Sequence, residues 1–244
     1  MNIIKLDATA STNSFLKELS VESELSDYTV VVADEQTLGR GQMNTTWVSE
    51  AKKNLLCSVY VRLSDVPISK QVYLNFAIAI AIHEALSSFK LTNLEIKWPN
   101  DILSEKKKIC GILVENILKG NKIDATIIGV GVNINQTDFP TYLPKASSIK
   151  NITGNEIVIE DVLAEIISKL KEKISLLINK DYDVLNEEYH NVLHKKNIPS
   201  MFKDDKDVVF MGKILEVETS NGKLIIELPD ETLKSFQLKE VVFI

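Results

Sequence analysis

The chain has 244 residues, 45% of them hydrophobic and 25% charged, and a formal net charge of −6. That length admits one large domain, or one domain with a small appendage, and a core of enzyme size. The acidic balance argues against a nucleic-acid partner, which needs a Lys/Arg surplus or a dense basic patch. The opening "MNIIKLDATAST" has neither a signal-peptide core nor a bilayer span, so a cytoplasmic location is the expectation. "NIIKLDA" alternates as a short strand, and Ser11 or Thr12 caps an amphipathic "NSFLKEL". "YTVVVADEQ" reads as a strand, and after the glycine-containing stretch "LGRGQMNTTW" comes another, "NLLCSVYVRL". In "ISKQVYLNFAIAIAIHEALSSF", Leu74, Ile78, Ala81, Ile82, Ala85, Leu86 and Phe89 recur at helical spacing. Apolar residues off that stripe predict a helix buried on more than one side.

Three strands, "LEIKW", "ICGILVENIL" and "KIDATIIGVGVNI", follow, with Asp101 to Lys108 and Gly120-Asn121 expected as the turns of antiparallel hairpins. A proline-containing loop, 136–150, leads to the helix "EDVLAEIISKLKEKISLLI" and a shorter one, "VLNEEYHNVLH". From about residue 200 there are strands, an Asn221-Gly222 hairpin signal and no helix. The expected fold is α+β: a mostly antiparallel sheet with helices packed against it in residues 1–197, and a small all-β unit in residues 198–244. Cys57 and Cys110 lie in separate apolar runs and read as buried, reduced thiols.

Chemistry-bearing residues gather in four segments. Gly39 and Gly41 flank Arg40. Two readings fit: an ordinary tight turn, or a loop that brings backbone N–H groups and a planar guanidinium to a carboxylate or phosphate. It is not a dinucleotide fingerprint, since Asn44 stands where the third glycine belongs, and the chain has no Gly-Lys-Ser/Thr of a P-loop. In "KWPNDI", Lys97, Asn100 and Asp101 surround a Trp-Pro step; a capping turn accounts for Pro99 to Asp101 but not for Trp98. Asp101 beside Asn100 suits Mg²⁺ on a triphosphate. In "KKKICGILVE", Lys106 and Lys107 read as a solvated hairpin tip, whereas Lys108 is near enough to the strand to reach a site, and Gly111 suggests close approach to the backbone. In "IIGVGVNIN", Gly129 and Gly131 share a strand face with Asn133. That face is either a floor for a flat ligand or a place where a helix comes close. His190 and His194 have metal-ligand spacing, but neither a Glu-x-x-His pattern nor a third ligand accompanies them, and no metal centre is expected there. The chemistry expected is electrostatic, cations around an anion, with no covalent enzyme intermediate.

Taken together and in order, these segments resemble the biotin–protein ligases. That family carries Ser-Thr-Asn (here Ser11 to Asn13), a Gly-Arg-Gly loop ending in Trp (Gly39 to Trp47), Lys-Trp-Pro-Asn-Asp (Lys97 to Asp101), Lys-x-x-Gly-Ile-Leu-Val-Glu (Lys108 to Glu115) and Gly-x-Gly-x-Asn (Gly129 to Asn133). The match runs from residue 9 to about 135, and the terminal β unit is similar to the family's SH3-like domain. The resemblance implies a core like that of class II aminoacyl-tRNA synthetases, and a two-step reaction. Biotin and MgATP give biotinyl-AMP and pyrophosphate, and a lysine of a biotin carboxyl carrier domain then takes the biotin. It implies that Ser11, Thr12, Asn13, Gln36, Gly39, Arg40, Gly41, Gln42, Lys108, Gly111 and Gly129 form the biotin site, with Gln36 and Thr12 on the ureido ring. Arg40 and Lys108 are the implied catalytic cations, Lys108 bridging carboxylate and α-phosphate. Arg40, Trp47, Lys97, Asn100, Asp101, Lys108 and Asn133 are the implied ATP site, with Asp101 toward Mg²⁺.

The chain departs from the family loop at Gln42, Asn44 and Thr45, which replace an arginine, a glycine and an arginine. Only ten residues precede Ser11, so no helix-turn-helix and no DNA partner are expected. No membrane partner is expected either, and a homodimer is left open. The rival within the same architecture is a lipoate or octanoate ligase, against which the Gly-Arg-Gly loop and Lys-Trp-Pro-Asn-Asp weigh.

Overall fold

The computed structural model describes residues 2–244, apart from the side chains of Asn44 and Ser64. The first strand, β1 (Asn2–Thr9), runs into helix α1 (Thr12–Glu22) and back through β2 (Thr29–Gln36). This is a parallel crossover, so Thr9 pairs with Gln36 at one end of the sheet. The remaining strands of this sheet pair antiparallel: β3 (Leu55–Pro67) then, beyond helix α2 (Gln71–Ser87), β4 (Glu95–Lys97), β5 (Asp101–Ser104), β6 (Lys107–Lys119) and β7 (Lys122–Val132). The seven strands lie in the order β1-β2-β3-β7-β6-β5-β4. Three helices follow, α3 (Ile149–Thr153), α4 (Ile159–Asn179) and α5 (Tyr182–Asn191).

Side-chain alternation divides the core in two. Val30, Cys57, Val59, Ile128 and Val130 face α2 and α4, whereas Val31, Tyr60, Ala125 and Ile127 face α1 around Leu16. Helix α2 is buried around most of its circumference, as its all-round apolar sequence predicts. Helix α4 buries one stripe, Val162, Leu163, Ile166, Ile167, Leu170, Ile174 and Leu177. Lys173 lies within that stripe at 3% exposure, with its ammonium between Glu84 (2.7 Å) and Glu188 (2.9 Å), tying α4 to α2 and α5.

A second sheet of five strands, β8 (Pro199–Asp204), β9 (Val209–Val217), β10 (Leu224–Glu227), β11 (Leu233–Phe236) and β12 (Val241–Phe243), has the order β11-β10-β9-β8-β12. Phe202, Ile214, Val217, Leu224 and Ile226 are buried in the same apolar cluster as α2 and α5. Polar contacts also cross the joint. Trp98 Nε1 donates to the Gly222 carbonyl (3.0 Å), and the Val217 N–H donates to His190 Nε2 (2.8 Å). No helix among the described residues is long and apolar enough to cross a membrane.

Two local expectations need correction. Asp101 to Lys108 is not one turn: Asp101–Ser104 is strand β5, and the turn is confined to Glu105 and Lys106, with φ of 51° and 61°. Two consecutive left-handed residues make a tight hairpin that no glycine announced. Helix α5 stops at Asn191, so His194 is not on its face; there the backbone turns to bridge Leu193 to Ile96.

Candidate active site

The site is built on the sheet face that carries α1. Ser58 on β3 pairs with Gly129 on β7, which also pairs with Leu113 on β6, and Gly111 pairs with Gly131. Ala125 and Ile127 sit under α1, and Gly129 and Gly131 continue their face. Ser11 caps α1, its Oγ receiving the Ser14 N–H, which puts Thr12 and Asn13 in the first turn above the glycines.

A continuous polar network starts there. The Thr12 N–H and hydroxyl donate to Gln36 Oε1 at 2.8 and 3.1 Å. The Ser58 hydroxyl, fully buried, donates to Asn13 Oδ1 (2.5 Å), with its oxygen 2.7 Å from Thr12 Oγ1. Asn13 Nδ2 donates to Glu115 Oε2 (2.8 Å), and the other Glu115 oxygen receives Arg40 Nη2 at 3.0 Å. Arg40 Nη1 donates to Ser14 Oγ (3.0 Å). Burial would raise the Glu115 carboxyl, but the hydrogen bonds from Asn13 and Arg40, with the Arg40 charge, hold it below its ordinary range. Ser58 and Glu115 were not singled out from sequence. The available signal was a serine inside the apolar run "LLCSVYV" and a carboxylate closing "GILVE".

The Gly-Arg-Gly loop is a small hairpin. The Trp47 N–H donates to the Gly39 carbonyl (2.9 Å), the Gly41 N–H to the Thr45 carbonyl (2.7 Å), and Arg40 bridges Thr46. A Cβ on Gly39 would lie 2.5 Å from the Trp47 carbonyl oxygen, and one on Gly41 would collide with Thr45 Oγ1. The glycines are therefore needed first for the loop to close on itself. The tip, Gln42–Asn44, is a single 3-10 turn with Met43 at φ 50°; the Asn44 side chain lies outside the described residues.

The glycine floor is also covered by the chain itself. The indole of Trp47 lies across the paired Gly111 and Gly131, whose Cβ atoms would approach it to 2.8 and 2.6 Å, and the Asn13 side chain sits against Gly129. Lys108 Nζ is 5.5 Å from the indole centroid and is ion-paired with Asp101 Oδ1 at 2.6 Å. Asn100 Nδ2 is tied to the Ile112 carbonyl (2.7 Å).

These walls enclose a cavity of about 250 Å³. Ser11, Thr12, Asn13, Gln36, Arg40, Gly41, Gln42, Trp47, Asn100, Asp101, Lys108, Gly111 and Gly129 all border it, as do Leu238 and Lys239 of the second sheet, which sequence reasoning did not flag. Three expected residues do not border it. Gly39 is inside the hairpin. Lys97 lies 5.2 Å from the Phe243 ring; burial pushes its ammonium pKa down, against the pull of Asp101. Asn133 is 4% exposed and donates to the Ser147 carbonyl at 2.9 Å. The cavity is polarised. Thr12 and Asn13, at its inner end, are 3% and 2% exposed, whereas the Arg40 and Lys108 side chains are 45% and 36% exposed. Two polar atoms bordering it, Gln42 Oε1 and Trp47 Nε1, are buried without a partner, a cost that a ligand would relieve.

Burial pushes the Cys57 thiol up to about 12 and raises Cys110 as well, so neither cysteine is a ready thiolate. Among the described residues no three His, Cys, Asp or Glu side chains form a metal cluster. His190 and His194 are otherwise engaged, with Val217 and Glu95. Asp101 would have to leave Lys108 to hold magnesium.

This fold, a mostly antiparallel sheet with packed helices followed by a second, smaller sheet, is shared with biotin protein ligases of known structure. The ligase from Aquifex aeolicus, solved in complex with biotin and ATP, superposes with a TM-score of 0.80 over 99% of this chain and 97% of its own, at 24% identity. The model of the biotin/lipoate A/B protein ligase family matches residues 6–133, and the chain belongs to that family. The bifunctional ligase/repressor BirA of Bacillus spizizenii is 35% identical over 159 residues, 64% of this chain and 48% of its own length, so the chain spans about half of that relative. The biotin–[acetyl-CoA-carboxylase] ligase of Paracoccus denitrificans is 32% identical over 65% of this chain and 67% of its own length.

Proposed function

We propose that this protein is a biotin–protein ligase that converts biotin and ATP to biotinyl-AMP and pyrophosphate, then transfers biotin to a lysine. The observation that carries the reading is the polarised cavity, which has an uncharged hydrogen-bonding inner end and cations, Arg40 and Lys108 among them, at its outer end. Biotin has the matching polarity, a neutral ureido ring at one end and a carboxylate at the other. Gln36, Thr12 and Asn13 would take the ring. Arg40 and Lys108 would leave Glu115 and Asp101 for the carboxylate and the α-phosphate. In the first step a carboxylate oxygen bonds to the α-phosphorus as the bond to pyrophosphate breaks. In the second an acceptor amine bonds to the acyl carbon, AMP leaves and the amine proton passes to solvent. Fixed cations opposite the charge that develops on phosphate are the electrostatic form of catalysis.

Trp47, Asn100 and Asp101 would face the nucleotide, and magnesium would enter as the counter-ion of ATP. Lys97 and Asn133 would support the nucleotide end from behind. Residues 1–197 would be the catalytic domain and residues 198–244 an SH3-like domain closing its mouth. The acceptor would be a biotin carboxyl carrier domain, and the reaction needs a compartment that supplies ATP. The family also holds lipoate ligases, whose substrate has no ureido group for Gln36 and Thr12. Thermal melts with biotin, lipoate and ATP separate the two: a true ligand at 100 times Kd stabilises by about 2.7 kcal/mol. Stabilisation by lipoate and not by biotin would reject the proposal.

A further inference from the structure

Three cations border the cavity, and they are not equivalent. Arg40 is paired with Glu115 and Lys108 with Asp101. Lys239, between β11 and β12, has no carboxylate within ion-pair distance among the described residues. Its ammonium instead donates to the Met43 carbonyl at 3.0 Å, at the tip of the Gly-Arg-Gly hairpin. A neutral carbonyl leaves most of the ammonium charge uncompensated, so an anion at the mouth of the cavity meets its free positive charge at Lys239. At its tip the loop adds no charge of its own, since Gln42 and Thr45 are neutral, and Arg40 must first leave Glu115. Lys106, in the β5–β6 turn, and Lys107, the first residue of β6, do not border the cavity. Lys239 has φ 70°, a conformation that favours glycine, so its side chain is held there at a backbone cost.

We propose that Lys239 is a positioning residue for the adenylate. It reaches from the second sheet to hold the loop tip and to add to Arg40 and Lys108 a positive charge that no carboxylate holds. This inference rests on the ligase reading given above. Holding the loop and neutralising the phosphate both slow the escape of biotinyl-AMP before an acceptor arrives. The β domain thus completes the intermediate's site rather than only bordering it.

The test is the release rate of chemically synthesised biotinyl-AMP, which requires no turnover, from the full-length protein and its Lys239→Met, Lys239→Arg and Lys239→Gly variants. Lys239→Met should release about tenfold faster, the equivalent of about 1.4 kcal/mol, and with a weaker dependence on salt. Lys239→Arg should stay near the wild type. Lys239→Gly relieves the left-handed backbone, so it should melt no lower than the wild type yet release as fast as Lys239→Met, separating charge from folding. Tight binding by the wild type with an unchanged release rate in Lys239→Met overturns the inference and leaves the ligase reading standing. So does an arginine variant as fast as the methionine one. A wild-type protein that does not bind the adenylate overturns both.

Discussion

Replacing Gly131 with alanine puts a methyl group where Trp47 lies: the new Cβ would be 2.6 Å from Cε2 of the indole and 2.9 Å from Cζ2 and Nε1. Ordinary carbon contacts begin at about 3.5 Å, so the ring must retreat by roughly 1 Å. It cannot do so freely, because the Trp47 N–H is bonded to the Gly39 carbonyl at 2.9 Å and the hairpin moves with it. Overpacking of this kind costs about 1–3 kcal/mol, offset by the 0.5–1 kcal/mol or so that alanine gains over glycine in a strand. The net loss of stability is therefore at most about 2.5 kcal/mol, and the protein stays folded. The function should suffer more. We expect the KM for ATP to rise about tenfold or more, while biotin binding at the Thr12–Gln36 end changes by less than about threefold. The emission of Trp47 should shift, against a constant background from the only other tryptophan, Trp98, which is buried and bonded to Gly222. Repeating the change in a Trp47→Ala background completes a double-mutant cycle: without the indole, Gly131→Ala should be close to neutral, giving a coupling of about 1 kcal/mol or more. If Gly131→Ala costs the same with and without Trp47, the indole does not rest on this floor in solution and the reasoning fails.

Lys108→Ala should lower biotin-dependent ATP–pyrophosphate exchange roughly a hundredfold or more; near-normal exchange would remove Lys108 from the chemistry. Ser58→Ala leaves Asn13 Oδ1 buried without its donor, at a cost of about 1–3 kcal/mol. Calorimetry should show biotin binding about tenfold weaker, and an unchanged Kd would mean that this network does not shape the site. His190 must have an unprotonated Nε2 to accept the Val217 N–H. Burial lowers its pKa, against the Asn186 carbonyl; Lys196 lowers it further, and Glu216 opposes. A histidine with a depressed folded pKa contributes stability that is complete above the unfolded value of about 6.5 and is lost as pH falls below it. Melting temperature should therefore fall through that range more steeply in the wild type than in His190→Gln, and identical pH profiles would contradict this.

Periodicity located α2, α4 and the long central strands because their burial is written in runs of apolar residues. It missed β5 because Asp101 to Ser104 is short, sits between polar turns and owes its strand pairing to β4 and β6 rather than to its own composition. The resemblance named thirteen of the residues that border the cavity, twelve of them within the five motifs and Gln36 outside, but Gly39, Lys97 and Asn133 were assigned to it as well and do not border it. A motif records which residues matter together without recording which of them touches the ligand. Gly129 and Gly131 were legible as a floor, yet nothing in a linear string says that Asn13 and Trp47 already lie on it. Lys239 could not be found at all from local pattern: it is 196 residues from the carbonyl it holds, and only the docking of the second sheet brings the two together.

A cavity that activates biotin as an adenylate must run the first step backwards, so the decisive measurement is the incorporation of labelled pyrophosphate into ATP with biotin, with lipoate and with neither. Exchange that depends on biotin, and is absent with lipoate or no acid, is the predicted result. Exchange that is indifferent to biotin, or that only lipoate supports, would contradict it.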